Sequence, residues 1–284
     1  MDISAFLDNL DILFNDKKYD EIETYLKNGI EKANKEKDLG AELSICNELG
    51  GFYRICTRFP EAKRAFERAL EIVGQLGLED QEPYAVTALN LATMLAAANE
   101  PFEAIQYFEK ALLFLEQNQA NGYLLASAYN NLIGLYIRET KFEKAEECGK
   151  RAIFQIEKLP NTQEEQAVTH SLLAQIYLMC GKIKEAENEC LISYHLFGEA
   201  ENPSAVHKSA LCSTQGQLFI YKKMWRNAET VLKEAVLLQE SSVGDTKNMA
   251  SILDFLVLVE NQLGNHSAAN EYQKRADGIR ERAL

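Results

Sequence analysis

The stretch Cys46-Asn47-Glu48-Leu49-Gly50-Gly51-Phe52-Tyr53, followed after residues 54–58 by Phe59-Pro60-Glu61-Ala62-Lys63-Arg64-Ala65-Phe66-Glu67-Arg68-Ala69-Leu70, decides the fold. At about 100° per residue, Cys46, Leu49, Gly50 and Tyr53 fall on one side of a helix. The second half carries its small and aromatic residues at helical spacing too. Small residues at Gly50, Ala62 and Ala69 let two helix backbones come close, and Leu49, Tyr53, Phe59 and Phe66 fill the remaining space. Pro60 sits where a second helix begins, and a missing N–H costs little there. The stretch therefore predicts a helical hairpin.

Working outward, the same hairpin recurs. Glu61-Ala62…Phe66…Ala69-Leu70 is echoed by Glu103-Ala104…Phe108…Ala111-Leu112, then by Lys144-Ala145…Ala152-Ile153, Glu185-Ala186, Asn227-Ala228…Ala235 and Ala268-Ala269…Ala276. The alanines at 62, 104, 145, 186, 228 and 269 lie 42, 41, 41, 42 and 41 residues apart. The first half recurs as Ala88-x-x-Leu91-Ala92-x-x-Leu95, Tyr129-x-x-Leu132-Ile133-x-x-Tyr136 and His170-x-x-Leu173-Ala174-x-x-Tyr177. It is looser in Cys212-x-x-Gln215-Gly216-x-x-Phe219 and Leu253-x-x-Leu256-Val257-x-x-Glu260. A divergent first unit fits the frame with Phe6, Leu10, Leu13, Tyr19 and Leu26. One hairpin cannot cover its own apolar face, so neighbours must stack.

These motifs resemble the tetratricopeptide repeat, whose signature is W-x-x-L-G-x-x-Y, then A-x-x-x-F and a further alanine. The period departs from the usual one of about 34 residues by about seven, roughly two helical turns. The leucine-to-alanine distance is constant (49 to 62, 91 to 104, 132 to 145), so the extra residues lengthen each helix by about one turn. Long-repeat members of the family, the kinesin light chain repeats and the bacterial peptide-responsive Rap regulators, look similar. The resemblance implies an all-α fold, a right-handed superhelical solenoid of about seven antiparallel helix pairs. It forms a single domain over residues 1–284, with units at 3–37, 38–79, 80–120, 121–161, 162–203, 204–244 and 245–284. The last unit is polar outside, as a cap should be, with Tyr272, Ile279 and Leu284 its few large apolar residues. The first is apolar around much of its helix (Phe6, Leu7, Leu10, Ile12, Leu13, Phe14), so that end either docks on a partner, such as a second copy in a homodimer, or packs irregularly.

Composition narrows the function. Thirty basic against 43 acidic residues leave a net charge of −13, which disfavours phosphate backbones and anionic membrane surfaces. No apolar run reaches the roughly 20 residues that span a bilayer, and the acidic N-terminus lacks the basic start of a secretory signal. The six cysteines form no C-x-x-C pair; a reduced, cytoplasmic protein is expected. Cys46, Cys56, Cys180, Cys190 and Cys212 occupy repeat positions expected to be packed, as does His170, and Trp225 is expected in the core. With no phosphate loop, nucleophile elbow or metal-ligand spacing, neither cofactor nor catalysis is expected.

The resemblance also implies where a partner binds: a concave face lined by the first helices. Carried over residue by residue, that face holds Asn47 and Arg54, then Leu89 and Thr93, then Asn130 and Arg138, then Ser171 and Gln175, then Gln217 and Tyr221, with Asn90 and Asn131 beside it. In related repeats an asparagine at the last two positions holds the backbone of an extended peptide, since an amide donates and accepts together. The same amides can instead satisfy groups of their own repeat. The lysines of a chaperone-tail clamp are missing; Asn47 and Ala210 stand in such places. The centre is small and apolar (Val86, Leu89, Ala96, Ala97), suited to a hydrophobic or helical segment. The expected function is a non-enzymatic protein- or peptide-binding scaffold. The alternative is a peptide-responsive regulator of Rap-like type, although those carry an N-terminal effector bundle and this chain begins almost directly with its first repeat.

Overall fold

Regular alternation of apolar hairpin motifs produces fourteen helices in the computed structural model, which describes residues 1–16, 18–118, 121–242, 244 and 246–282, and of Lys247 the backbone alone. Leu284 and the unit boundaries at 120, 245 and 284 lie outside the described residues. The first helices are α1 (Ile3–Asn15), α3 (Leu39–Ile55), α5 (Glu82–Ala97), α7 (Gly122–Arg138), α9 (Gln163–Met179), α11 (Ala205–Tyr221) and α13 (Lys247–Gln262). The second helices are α2 (Tyr19–Glu36), α4 (Phe59–Leu76), α6 (Pro101–Gln117), α8 (Phe142–Ile156), α10 (Ile183–Glu199), α12 (Trp225–Ser242) and α14 (His266–Arg282). No strand occurs among the described residues.

The chain divides into two compact units, Met1–Leu135 and Tyr136 onward, the division falling within α7. In the first unit α3 pairs with α4 and α5 with α6, while α2 packs on α3 and α4 on α5. In the second, α9 pairs with α10, α11 with α12 and α13 with α14, with α8 on α9, α10 on α11 and α12 on α13. First helices also touch one another (α3 with α5, α9 with α11, α11 with α13), whereas among the described residues no comparable contact joins α4 to α6 or α10 to α12. Within each unit the first-helix side is therefore the shorter, inner side.

The repeated alanines explain this packing. Ala62, Ala104, Ala145, Ala186 and Ala228 are fully buried, and Ala269 nearly so. At Gly50 a Cβ would lie 2.6 Å from the Phe66 ring, and at Gly216 2.5 Å from Leu232. Only glycine admits those neighbours at that distance. The central core of the first unit includes Ile22, Leu26, Phe66, Ile72, Leu91, Leu95 and Phe108; that of the second includes Leu232, Met249, Leu253 and Leu256.

The six later hairpins turn by one recurring geometry. Thr57, Asn99, Thr140, Gly181, Lys223 and Gly264, each five residues before the marker alanine, take left-handed backbone angles. The next N–H reaches back over the helix end: Arg58 to Tyr53 O, Glu100 to Leu95 O, Lys141 to Tyr136 O, Lys182 to Tyr177 O and Met224 to Phe219 O, all at 2.8 Å. This is the Schellman closure, which satisfies carbonyls that a helix end leaves open.

One expectation needs correction. Cys180 is exposed and Cys56 only half-buried, because each caps a helix end at the turn; Cys148, in α8, is buried instead. On α1, Leu10 is the one buried residue and Ile12 is 55% exposed. Phe6 stacks on Tyr25 at 4.4 Å, and Phe14 meets Phe52 edge-on at 6.4 Å.

Candidate functional site

On the inner side of the first unit α3 and α5 lie against one another. Helical spacing places Asn47 on α3 opposite Thr87 on α5, a fully buried hydroxyl. Asn47 Nδ2 donates to Thr87 Oγ1 at 3.0 Å and to its own helix at Leu43 O, 3.2 Å. Its Oδ1 accepts from Asn90 Nδ2 at 3.5 Å. The half-buried Asn90 amide is thus turned so that its own Oδ1 accepts nothing from the described residues. Asn131 is exposed and donates to Ser127 O at 3.0 Å. Thr93 donates to Leu89 O at 2.8 Å, closing its hydroxyl onto α5.

The other expected residues fall in three groups. Leu89 and Ser171 are only 7% and 6% exposed, so they form the floor of their faces and offer little surface. Asn130, Gln175 and Gln217 are half-buried, the last two on α9 and α11 of the second unit. Tyr221 and Arg138 are exposed near the ends of α11 and α7, and Arg54 is half-buried on α3. The structure brings Asn47 and Asn90 together directly; within the second unit, Ser171, Gln175, Gln217 and Tyr221 line neighbouring first helices.

Sequence reasoning placed Arg54 on the inner side but missed Glu48 and the wall that α1 supplies opposite it. A groove of about 550 Å³ opens between α1 and α3, lined by Asp11 and Phe14 of α1 and by Glu48, Phe52, Arg54 and Ile55 of α3. Glu48, Gly51 and Ile55 follow an i, i+3, i+7 stripe, so a wheel drawn for α3 alone contains the signal. The facing wall comes from the divergent first repeat, whose motif does not announce an inner face. Glu48 is exposed, and partial desolvation in the groove, with the like charge of Asp11 adding to it, raises its carboxyl above the ordinary range.

Ionisable groups elsewhere hold the helices together. His170 Nδ1 lies 2.5 Å from Glu189 between α9 and α10. Glu164 accepts from the Ser204 N–H at 3.0 Å and lies 2.6 Å from His207 Nδ1, tying α9 to the start of α11. Burial pushes the thiols of Cys46, Cys190 and Cys212 up to about 12, which suits inert packing. Among the described residues no group of three or more His, Cys, Asp or Glu side chains is arranged to hold a metal ion, and no helix is long and apolar enough to cross a membrane.

Residues 41–117 match the family profile described as tetratricopeptide repeat. No curated protein sequence matches the chain. Among solved structures, the apo form of RapI is similar with a TM-score of 0.76 at 14% identity, over 99% of this chain and 98% of RapI. A tetratricopeptide repeat protein from Parabacteroides merdae gives 0.67 at 15% identity, over 98% and 93%. The apo quorum sensor NprR from B. thuringiensis gives 0.66 at 13%, over 98% and 87%. At these identities the likeness is one of fold.

Proposed function

We propose that this chain, a tetratricopeptide-repeat protein in its matched segment and by the fold of its helix pairs, is a non-enzymatic scaffold that binds a peptide or protein segment on its inner faces. The observation that carries the reading is the relay from Thr87 through Asn47 to Asn90. It spends both Asn47 donors and one of the Asn90 donors on orientation and leaves the Asn90 acceptor oxygen, with a second N–H beside it, for the donor and acceptor of a peptide unit. The surrounding surface of α5 is small or apolar: Val86 near its start is 36% exposed, and Ala96 and Ala97 at its end are half-buried and exposed, respectively. Each such hydrogen bond contributes about 0.5–1.5 kcal/mol, so several repeats must act together.

The test is selection of a phage-displayed heptapeptide library on the full chain and on Asn90→Ala/Asn131→Ala. Peptides retained by the wild type and lost by the double variant, with helical circular dichroism unchanged, support the reading. Equal retention removes the asparagines from the site.

A second reading, a peptide-responsive regulator, draws on the full-length likeness to RapI and to the quorum sensor NprR. It requires that a bound peptide change the conformation of the chain. Small-angle scattering of the chain with and without a selected peptide separates it from a passive scaffold.

A further inference from the structure

We propose that the groove between α1 and α3 takes a Lys or Arg side chain of the bound segment between the carboxylates of Asp11 and Glu48, with an apolar neighbour lying on Phe14 and Ile55. The inference rests on the peptide-scaffold reading and names the chemistry of its ligand. Elsewhere in the protein, shielded carboxylates hold cations of their own: Glu23 with Lys27 and Arg58, Glu42 with Arg68, Glu146 with Lys150 and Lys182, and Glu260 with Lys233. Asp11 and Glu48, though both exposed, differ: neither makes an ion pair with any described residue, and they line the same groove beside Phe14 and Ile55. Arg54, the one basic lining residue, lies six positions beyond Glu48, about 9 Å along the helix, and pairs with neither.

The groove's chemistry is thus two unmatched negative charges beside an apolar surface. Ile55 is 56% exposed, and Phe14 is held in place by its edge contact with Phe52. Desolvation and mutual repulsion both burden the Glu48 carboxylate, and both are relieved when a cation sits between it and Asp11. A second copy of the chain is a poor occupant: it brings net charge −13 to a surface that is already acidic. A basic and apolar peptide segment complements charge and wall together.

The phage-selected heptapeptides provide the test, now read for composition and affinity by fluorescence anisotropy on the full chain. Peptides held by the wild type are expected to carry Lys or Arg next to an apolar residue. Asp11→Asn/Glu48→Gln is expected to weaken them by at least about tenfold, and Glu48→Lys to shift selection toward acidic peptides. That shift is a change of preference, which a misfolded variant cannot produce. Selected peptides without a basic residue, or basic peptides bound equally by the neutral variant, overturn the inference. If such peptides are still lost on Asn90→Ala/Asn131→Ala, the inner-face reading survives alone. If the wild type selects no peptide at all, both readings fall.

Discussion

At the scale of single residues, two adjacent glycines separate packing from backbone freedom. A Cβ at Gly50 would stand 2.6 Å from the Phe66 ring, whereas one at Gly51 would meet nothing within 4 Å. Gly50→Ala therefore forces the ring out of a close-packed core, and overpacking of that kind costs about 1–3 kcal/mol. Gly51→Ala adds helix propensity without a clash and is expected to stabilise by about 0.5–1 kcal/mol. Urea unfolding of the two variants should move the midpoint in opposite directions; a matched loss at both would mean that helix α3 is not packed as described. The two residues differ in their facing, which the 46, 49, 50, 53 spacing already carries. Individual hydrogen bonds are less legible. Asn47 and Asn90 stand out in the repeat frame, but the hydroxyl that orients them, Thr87, sits at an undistinguished position and acts only because α5 buries it.

At the scale of elements, the alanine register placed all six later hairpins, yet the turn within each was hidden. Its left-handed residue is Thr, Asn, Thr, Gly, Lys and Gly in succession. No residue type marks it, because the helix-end hydrogen bonds impose the angle on whatever stands there. Non-glycine residues are strained in that region by about 1–2 kcal/mol, and β-branched ones most visibly. Thr57→Gly and Thr140→Gly are thus expected to raise the unfolding midpoint, with Asn99→Gly giving the smallest gain since asparagine tolerates the angle. A lowered midpoint in the threonine variants would count against the turn geometry. The first unit is fastened differently. Glu23 of α2 accepts from Lys27 and Arg58 at 2.7 Å and from the Tyr53 hydroxyl at 2.9 Å, joining α2 to α3 and to the start of α4. The Lys27 bond, then those from Arg58 and Tyr53, lower the carboxyl from 4.5 to about 2. A lowered folded-state value contributes stability above the unfolded value near 4.5, and the contribution disappears as pH falls toward 2. Glu23→Gln should therefore be less stable than wild type at neutral pH, and the gap should close across that acid window. Thermal midpoints measured from pH 7 down to pH 2 check it; a gap that stays constant would remove the ion-pair explanation.

At the scale of the whole molecule, the repeat fold places inner faces but says little about what they choose. Choice comes from charge, and here local and global charge agree. The chain carries −13, and the groove at Asp11 and Glu48 adds carboxylates without partners. A field of one sign draws oppositely charged ligands toward the surface before contact, raising association rates that salt then suppresses. The Debye length shrinks from about 30 Å at 0.01 M to about 3 Å at 1 M. For a selected basic peptide, the association rate should fall by roughly tenfold or more across that range, while dissociation changes less, because the contacts in the groove are short-ranged. The neutral Asp11→Asn/Glu48→Gln variant keeps most of the molecule's charge, so its association rate should retain most of the salt dependence even as its dissociation rate rises. Stopped-flow anisotropy across the salt series distinguishes the two contributions. A flat association rate in wild type would mean that the molecule's charge plays no part in delivering the ligand, and an unchanged dissociation rate in the variant would place the basic side chain outside the α1–α3 groove.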